Sequence, residues 1–201
     1  MTEAKRAALD GLGPRYLIDH AATLDPVALF GRRSPLVVEI GFGDGEATVA
    51  YAVDQPNHDV IAAEVHRPGI AMLLQRCHDE AITNVRIWEG DALDLLSALP
   101  ATSVSEIRVF FPDPWPKVRH YPRRIVRADI VTRWAELLVA GGVVHLATDW
   151  AHYASQMRTV LAANPSFAMI VDDRADRPMT KYERLGLATG RTITDLRATR
   201  T

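Results

Sequence analysis

Three acidic side chains stand at regular intervals in the first half of the chain, each beside a glycine or a short polar run. Glu39 precedes Gly41-Phe42-Gly43-Asp44-Gly45-Glu46, Glu64 stands near the end of the apolar run Val60–Val65, and Asp91 follows Glu89-Gly90. Glycine permits positive φ and lets a ligand approach the backbone. The spacing is G-x-G-x-G rather than G-x-G-x-x-G, because position 46 is Glu. A dinucleotide sets its pyrophosphate on the N-terminus of the following helix, where Glu46 would repel it. A phosphate-free cofactor suits these acids better. A carboxylate at Glu39 fits an ammonium or sulfonium neighbourhood. An acid about 20 residues past the loop is where ribose hydroxyls are held, and Glu64 lies 23 residues after Gly41. Asp91 either accepts from an adenine amino group or caps the next helix. The cofactor these features describe is S-adenosylmethionine, which leaves as S-adenosylhomocysteine. Its expected contacts are Glu39, Gly41, Gly43, Gly45, Glu64 and Asp91. The plain alternative is a tight turn with caps.

A second constellation is Phe110-Phe111-Pro112-Asp113-Pro114-Trp115-Pro116-Lys117. Three prolines at alternate positions fix φ and remove three backbone donors, and the residue before each is expected to be extended. Asp113 and Trp115 are thus presented on a stiff segment, which is what positioning a reacting group demands. Trp115 either stacks on a base or packs beside its proline. Dense positive charge follows, and the stretch Lys117 to Arg133 carries six bases against one acid. The stretch Asp25 to Asp113 carries 14 acids against 6 bases. This asymmetry, hidden in a net charge of −2, separates a face for a cation or hydroxyls from a face for an anion. Phosphate contacts are expected from Arg119, Arg123, Arg124 and Arg127.

The elements that must position these groups follow from periodicity. Leu36–Ile40, Val60–Val65, Val85–Trp88, Ile107–Phe111 and Val143–Ala147 are short apolar runs bounded by turn residues, and read as strands. Helical spacing appears at Glu46–Val53, Pro68–Ala81, Ala92–Leu99 and Arg123–Leu138. The tail adds a helix over Trp150–Ala162 and strands at Phe167–Val171 and Arg191–Leu196. Alternation of strand and helix predicts an α/β fold with a parallel sheet and helices on both faces. Residues 1–35 read as a helical appendage, 36–150 as the cofactor-binding core and 151–201 as the substrate-side part of one domain of 201 residues. A lone Cys77 excludes a disulfide framework and reads as a small core residue, consistent with a cytoplasmic protein. No histidine spacing suggests a metal site. His145, alternating inside an apolar strand, reads as a satisfied interior group.

FFPDPWPKVRHYPRR resembles the signature of the tRNA (guanine-N7)-methyltransferases. VVEIGFGDG, AAEVHRPG, GGVVHLATDW and RPMTKYERLG resemble further blocks of that family. Two departures are Pro122, where a basic residue is common, and Tyr182 in place of Phe. The resemblance implies a Rossmann-like class I methyltransferase with a mostly parallel seven-stranded sheet. It implies methyl transfer from S-adenosylmethionine to guanine N7 in the tRNA variable loop, without a metal. Asp113 is implied as the catalytic residue, at the boundary of cofactor and base. Lys117, Asp149, Thr180, Lys181, Tyr182 and Glu183 are implied as substrate contacts, and Arg119 to Arg124 as an RNA-binding segment. The implied partner is tRNA, with neither DNA nor membrane, the chain acting as monomer or homodimer. Rival readings are a methyltransferase for a small molecule or protein, a nicotinamide oxidoreductase, and a non-catalytic RNA-binding protein.

Overall fold

Leu36–Ile40, four apolar residues and Glu39, form β1, and all five are buried. That is expected of a strand covered on both faces. The computed structural model describes residues 1–20, 22–175 and 177–201. The chain divides into two compact units, Met1–Pro100 and Ala101–Thr201.

In the first unit β2 (Asp59–Glu64) pairs in parallel with β1, and β3 (Val85–Glu89) in parallel with β2. Ile40 aligns with Ala63 and Glu64 with Glu89. The carboxyl ends of all three strands therefore finish at one edge. There the chain turns into α3 (Glu46–Asp54), α4 (Arg67–Asp79) and α5 (Ala92–Ala98). Strand and helix bounds here match the expected ones to within a residue or two. The core gathers Val37, Val60, Ile70, Leu73, Leu74, Cys77, Val85 and Ile87. Cys77 is the expected core residue, and burial pushes its thiol up to about 12.

The N-terminal residues are helical as expected, in α1 (Glu3–Tyr16) and α2 (Pro26–Phe30), and α1 is tied into this core. The fully buried Tyr16 hydroxyl lies 3.1 Å from the Cys77 carbonyl and 3.0 Å from that of Ile82. It thereby bonds to backbone acceptors at the end of α4.

The second unit holds β4 (Val104–Phe110), β5 (Leu138–Thr148), β6 (Phe167–Val171) and β7 (Thr194–Arg200), in the order β4-β5-β7-β6. β4 and β5 are parallel, while β7 runs antiparallel to both neighbours. The helices are α6 (Ala128–Leu137), α7 (Ala151–Ala163) and α8 (Lys181–Ala188). Seven strands are present among the described residues, as expected. Several boundaries are corrected. β4 starts at Val104, not Ile107, β5 at Leu138, not Val143, and the last strand runs to Arg200, not Leu196. The last strand starts at Thr194, not Arg191. The helix expected from Arg123 starts only at Ala128, after a 3-10 turn over Val118–Arg123. Residues 124–127 are extended: Arg124 and Val126 are buried, alternating with less buried neighbours at the period of two that extended chain imposes. α7 satisfies this stretch. The Val126 N–H donates to the Tyr153 hydroxyl at 3.1 Å, and the Gln156 amide donates to the Val126 carbonyl at 3.3 Å.

Two close approaches seat the glycine loop on α4. A Cβ at Gly69 would lie 2.0 Å from the Gly43 carbonyl oxygen, and one at Gly45 would lie 2.7 Å from Leu73 Cδ1. Gly69→Ala must therefore push helix and loop apart. Its expected cost is about 1–3 kcal/mol, read as a lower midpoint in urea unfolding together with weaker cofactor binding by calorimetry. An unchanged midpoint would show that the loop is not held at this contact.

Candidate active site

The first unit's strand ends carry the acids read from sequence. Glu39, the penultimate residue of β1, is buried. Gly41, Gly43 and Gly45 all take left-handed φ, at 75°, 62° and 79°, which side chains with a Cβ rarely adopt. Open space surrounds the Cβ position of Gly41, so a ligand could lie against that backbone. Glu64 is already at work on the protein. Its Oε2 accepts from the Gly43 N–H at 3.0 Å, and its Oε1 from the N–H groups of Val65 and His66 at 2.8 and 3.0 Å. A carboxylate has about four acceptor sites, so the Glu64 carboxylate locks the loop and keeps capacity for a hydroxyl. Of the two readings for Asp91, the structure shows the cap: its Oδ1 accepts from Leu93 N–H at 2.9 Å, at the start of α5. These groups are acidic. They fit the cationic and hydroxyl-bearing parts of a sulfonium nucleoside and offer nothing for a phosphate.

The strand-four segment departs from expectation in one respect. Phe111 and Trp115, both followed by proline, are not extended but left-handed, with φ of 52° and 42°. Tertiary contacts override the local preference. The Phe111 N–H donates to the Ala147 carbonyl at 2.8 Å, and the Arg177 guanidinium lies 5.3 Å from its ring centroid. Trp115 is half-buried between the Arg123 guanidinium, 4.9 Å from its ring, and the edge of His120 at 5.7 Å. Asp113 is exposed.

The basic block divides. Lys117, Arg119 and Arg123 are exposed. Arg127 is held by Asp129 at 2.8 Å and by the Pro122 carbonyl at 3.1 Å. Arg124 is corrected: it is 0% exposed and cannot reach a phosphate. Its guanidinium donates to the Pro114 carbonyl at 2.8 Å and to Gln156 Oε1.

The C-terminal segment has structural partners of its own. Thr180 is the N-cap of α8, its hydroxyl accepting from Glu183 N–H at 3.4 Å. Glu183 is 1% exposed and paired with Arg174 and, at 2.8 Å, with Arg177. Arg177 also forms a two-point pair with Asp195 at 2.7 and 2.9 Å. His145 lies 3.5 Å from Asp195 and 3.8 Å from Glu106, which pairs with Arg108 at 3.1 Å. His145 is interior as expected, but it is not satisfied as expected: its buried Nε2 has no hydrogen-bond partner. Burial alone would raise the Glu183 and Asp195 carboxyls, yet adjoining groups bring both below their usual range: the Arg174 and Arg177 guanidinium groups for Glu183, the His145 imidazole and the Arg177 guanidinium for Asp195. Lys181 and Tyr182 face out, Tyr182 at 51%. Asp149 is paired with Arg191 at 2.7 Å. Arg177 and Gly69 were outside the candidate set, and Arg124 stood in it only as a phosphate contact; only the T-x-x-E capping-box pattern of Thr180–Glu183 carried a readable sign of α8.

The chain matches the family model described as "Putative methyltransferase" over residues 33–196. It is 43% identical to the tRNA (guanine-N(7)-)-methyltransferase of Acidovorax sp. (strain JS42), over 99% of this chain and 82% of that protein. It is 42% identical to the protein of that description from Halorhodospira halophila (strain DSM 244 / SL1), over 98% of this chain and 89% of the other. Among solved structures the 16S rRNA methyltransferase KamB is similar in fold. Its TM-score is 0.66 and its identity 15%, over 93% of this chain and 99% of that one. The fold is therefore the Rossmann-like one expected.

A depressed carboxyl adds stability above its ordinary pKa and loses it as pH falls through its folded value. The Glu183–Arg177–Asp195 cluster should thus stabilise the protein fully at neutral pH and fail below about pH 4. Arg177→Met strands two buried carboxylates and should cost about 3–5 kcal/mol at pH 7. The deficit should shrink at pH 3 to 4. Urea midpoints at both pH values check this, and a deficit independent of pH would remove the charge explanation.

Proposed function

We propose the following reaction for this chain, which belongs to the tRNA (guanine-N7)-methyltransferase family: transfer of a methyl group from S-adenosylmethionine to N7 of a guanine in the tRNA variable loop. The observation that carries the reading is the pairing of two features. The first unit ends its strands in acids around a left-handed glycine loop. The second presents an exposed aspartate between prolines, followed by exposed cations.

S-adenosylmethionine supplies an electrophilic methyl group on a sulfonium centre. The chain's residues do the rest. Glu39 offers negative charge to the cationic end of the donor. The remaining acceptor capacity of Glu64 takes a ribose hydroxyl, and Asp91 stands beside the adenine while capping α5. Guanine N7 carries an exposed lone pair, so no side chain has to remove a proton for attack. Positioning and charge are what remain to be supplied. Asp113 accepts from the guanine N1–H and 2-amino group and stabilises the positive charge that develops on the purine. Asp149 is the second carboxylate for that role. Its partner Arg191 is a largely exposed cation, and such pairs contribute little, so Asp149 can exchange it for the base. Tyr182 stacks on the base or a neighbour, beside Lys181. Lys117, Arg119 and Arg123 take phosphates. A base stacked in the tRNA core has to be opened out to reach these groups. The work of the protein lies in the cytoplasm, where tRNA is.

Labelled S-adenosylmethionine and unmodified tRNA should give product that cleaves after borohydride and aniline treatment, the signature of N7-methylguanine. Asp113→Asn is isosteric and at an exposed site, so it should fold normally and lose most turnover. A wild-type rate in that variant would take Asp113 out of the mechanism. tRNA affinity should fall with salt at a log–log slope of roughly −0.7 to −0.9 per phosphate contact. Three exposed cations therefore imply a slope of about −2 to −3, and an affinity indifferent to salt would overturn the basic ledge.

A further inference from the structure

We propose that Arg124 is a positioning residue for methyl transfer, holding the Pro112–Trp115 segment so that Asp113 is presented in one orientation. This rests on the reading in which Asp113 meets the guanine. The segment has a particular problem of anchorage. Pro112, Pro114 and Pro116 have no N–H, so the backbone there can be gripped almost solely through its carbonyl oxygens. Arg124 supplies the grip. Its Nε lies 2.8 Å from the Pro114 carbonyl and its Nη2 3.4 Å from that of Trp115, two successive acceptors immediately after Asp113. The residue between those carbonyls, Trp115, is left-handed at φ 42°, a conformation that a bulky side chain keeps only when its surroundings over-determine it.

The other side of the guanidinium is fixed by α7 and the 3-10 turn. Nη1 donates to Gln156 Oε1 and lies 3.4 Å from His152 Nδ1. The plane sits 3.7 Å from the Tyr121 ring centroid and 4.7 Å from that of Tyr153. None of the four hydrogen-bonding partners is a carboxylate. A buried charge held this way is weak grounds for a stabilising role, and an apolar side chain of similar length would fill the space. What an apolar side chain cannot do is span two carbonyls. Nor can lysine, whose ammonium is a point rather than a fork. Neighbouring arginines therefore divide the work: Arg123 covers the outer face of Trp115, and Arg124 holds the backbone from within.

The test is Arg124→Lys, with Gln156→Leu as a second variant that loosens the guanidinium without touching the segment. In Arg124→Lys, kcat for N7-methylguanine formation should fall about 10- to 100-fold, with the KM for tRNA and the calorimetric affinity for S-adenosylmethionine within about threefold of wild type. Acrylamide quenching of Trp115, taken as the difference from the Trp115→Phe protein, should rise. Gln156→Leu should show the same changes in smaller degree; it also loses its bond to the Val126 carbonyl, so its lower unfolding midpoint is measured and the assays are run well below it. The salt slope of tRNA binding should stay at its wild-type value. A slope shallower by about 0.9 would make Arg124 a phosphate contact and overturn the proposal, as would unchanged kcat and quenching in either folded variant. If Arg124→Lys does not fold, Gln156→Leu alone decides by the same criteria. If the wild-type protein forms no N7-methylguanine, the reaction assigned above fails, while the quenching still reports whether Arg124 holds the segment.

Discussion

A guanidinium taken out of water has five N–H donors to satisfy and no means of shedding its charge. Among its described residues the second unit contains three such groups, at Arg108, Arg124 and Arg177, 2%, 0% and 2% exposed. Much of its irregular structure is the set of solutions to that constraint. Arg177 collects Glu183 from the first turn of α8 and Asp195 from β7, and covers the rings of Phe110 and Phe111 at the end of β4. Arg124 collects carbonyls from the proline segment and an amide from α7. The segment that carries Asp113 therefore begins under one buried cation and ends on another. Its two left-handed aromatic residues lie at those two points of attachment.

The first unit solves a different problem with the opposite charge. The glycine loop is held by a carboxylate and by backbone packing, not by cations. Glu64 ties down the Gly43 amide, and Gly69 lets α4 come within reach of the Gly43 carbonyl. The loop geometry is thus set by the protein's own contacts, and the glycines serve two ends. Gly45 and Gly69 make room for the protein, while Gly41 leaves room for something else.

How far the sequence reveals this depends on the kind of signal. β1 and β6 are read to the residue, because a short β-branched apolar run between turn residues has one good interpretation. The α6 boundary is misread because Ile125 falls at helical spacing by coincidence, while the inward turn of Arg124 and Val126 belongs to an extended stretch. α8 escapes because the resemblance assigns Thr180–Glu183 to the substrate, whereas the same T-x-x-E letters also spell a helix start. The left-handed glycine loop and the acids at the strand ends of the first unit were legible because their signal is local. Buried arginines were not: nothing in a basic run marks which member turns inward, and Arg123 and Arg124 have opposite fates one residue apart.

The Tyr16 hydroxyl joins α1 to carbonyls 61 and 66 residues further along the chain. On a ribosome, helix α1 emerges ahead of its docking site, which is complete only when the stretch through Ile82 has followed it out. Synthesis at roughly 5–20 residues per second leaves α1 waiting several seconds, long enough for a 14-residue helix to form and melt many times. Helix α1 is thus among the later pieces of the first unit to settle, and it closes that unit by reaching forward to chain made after it.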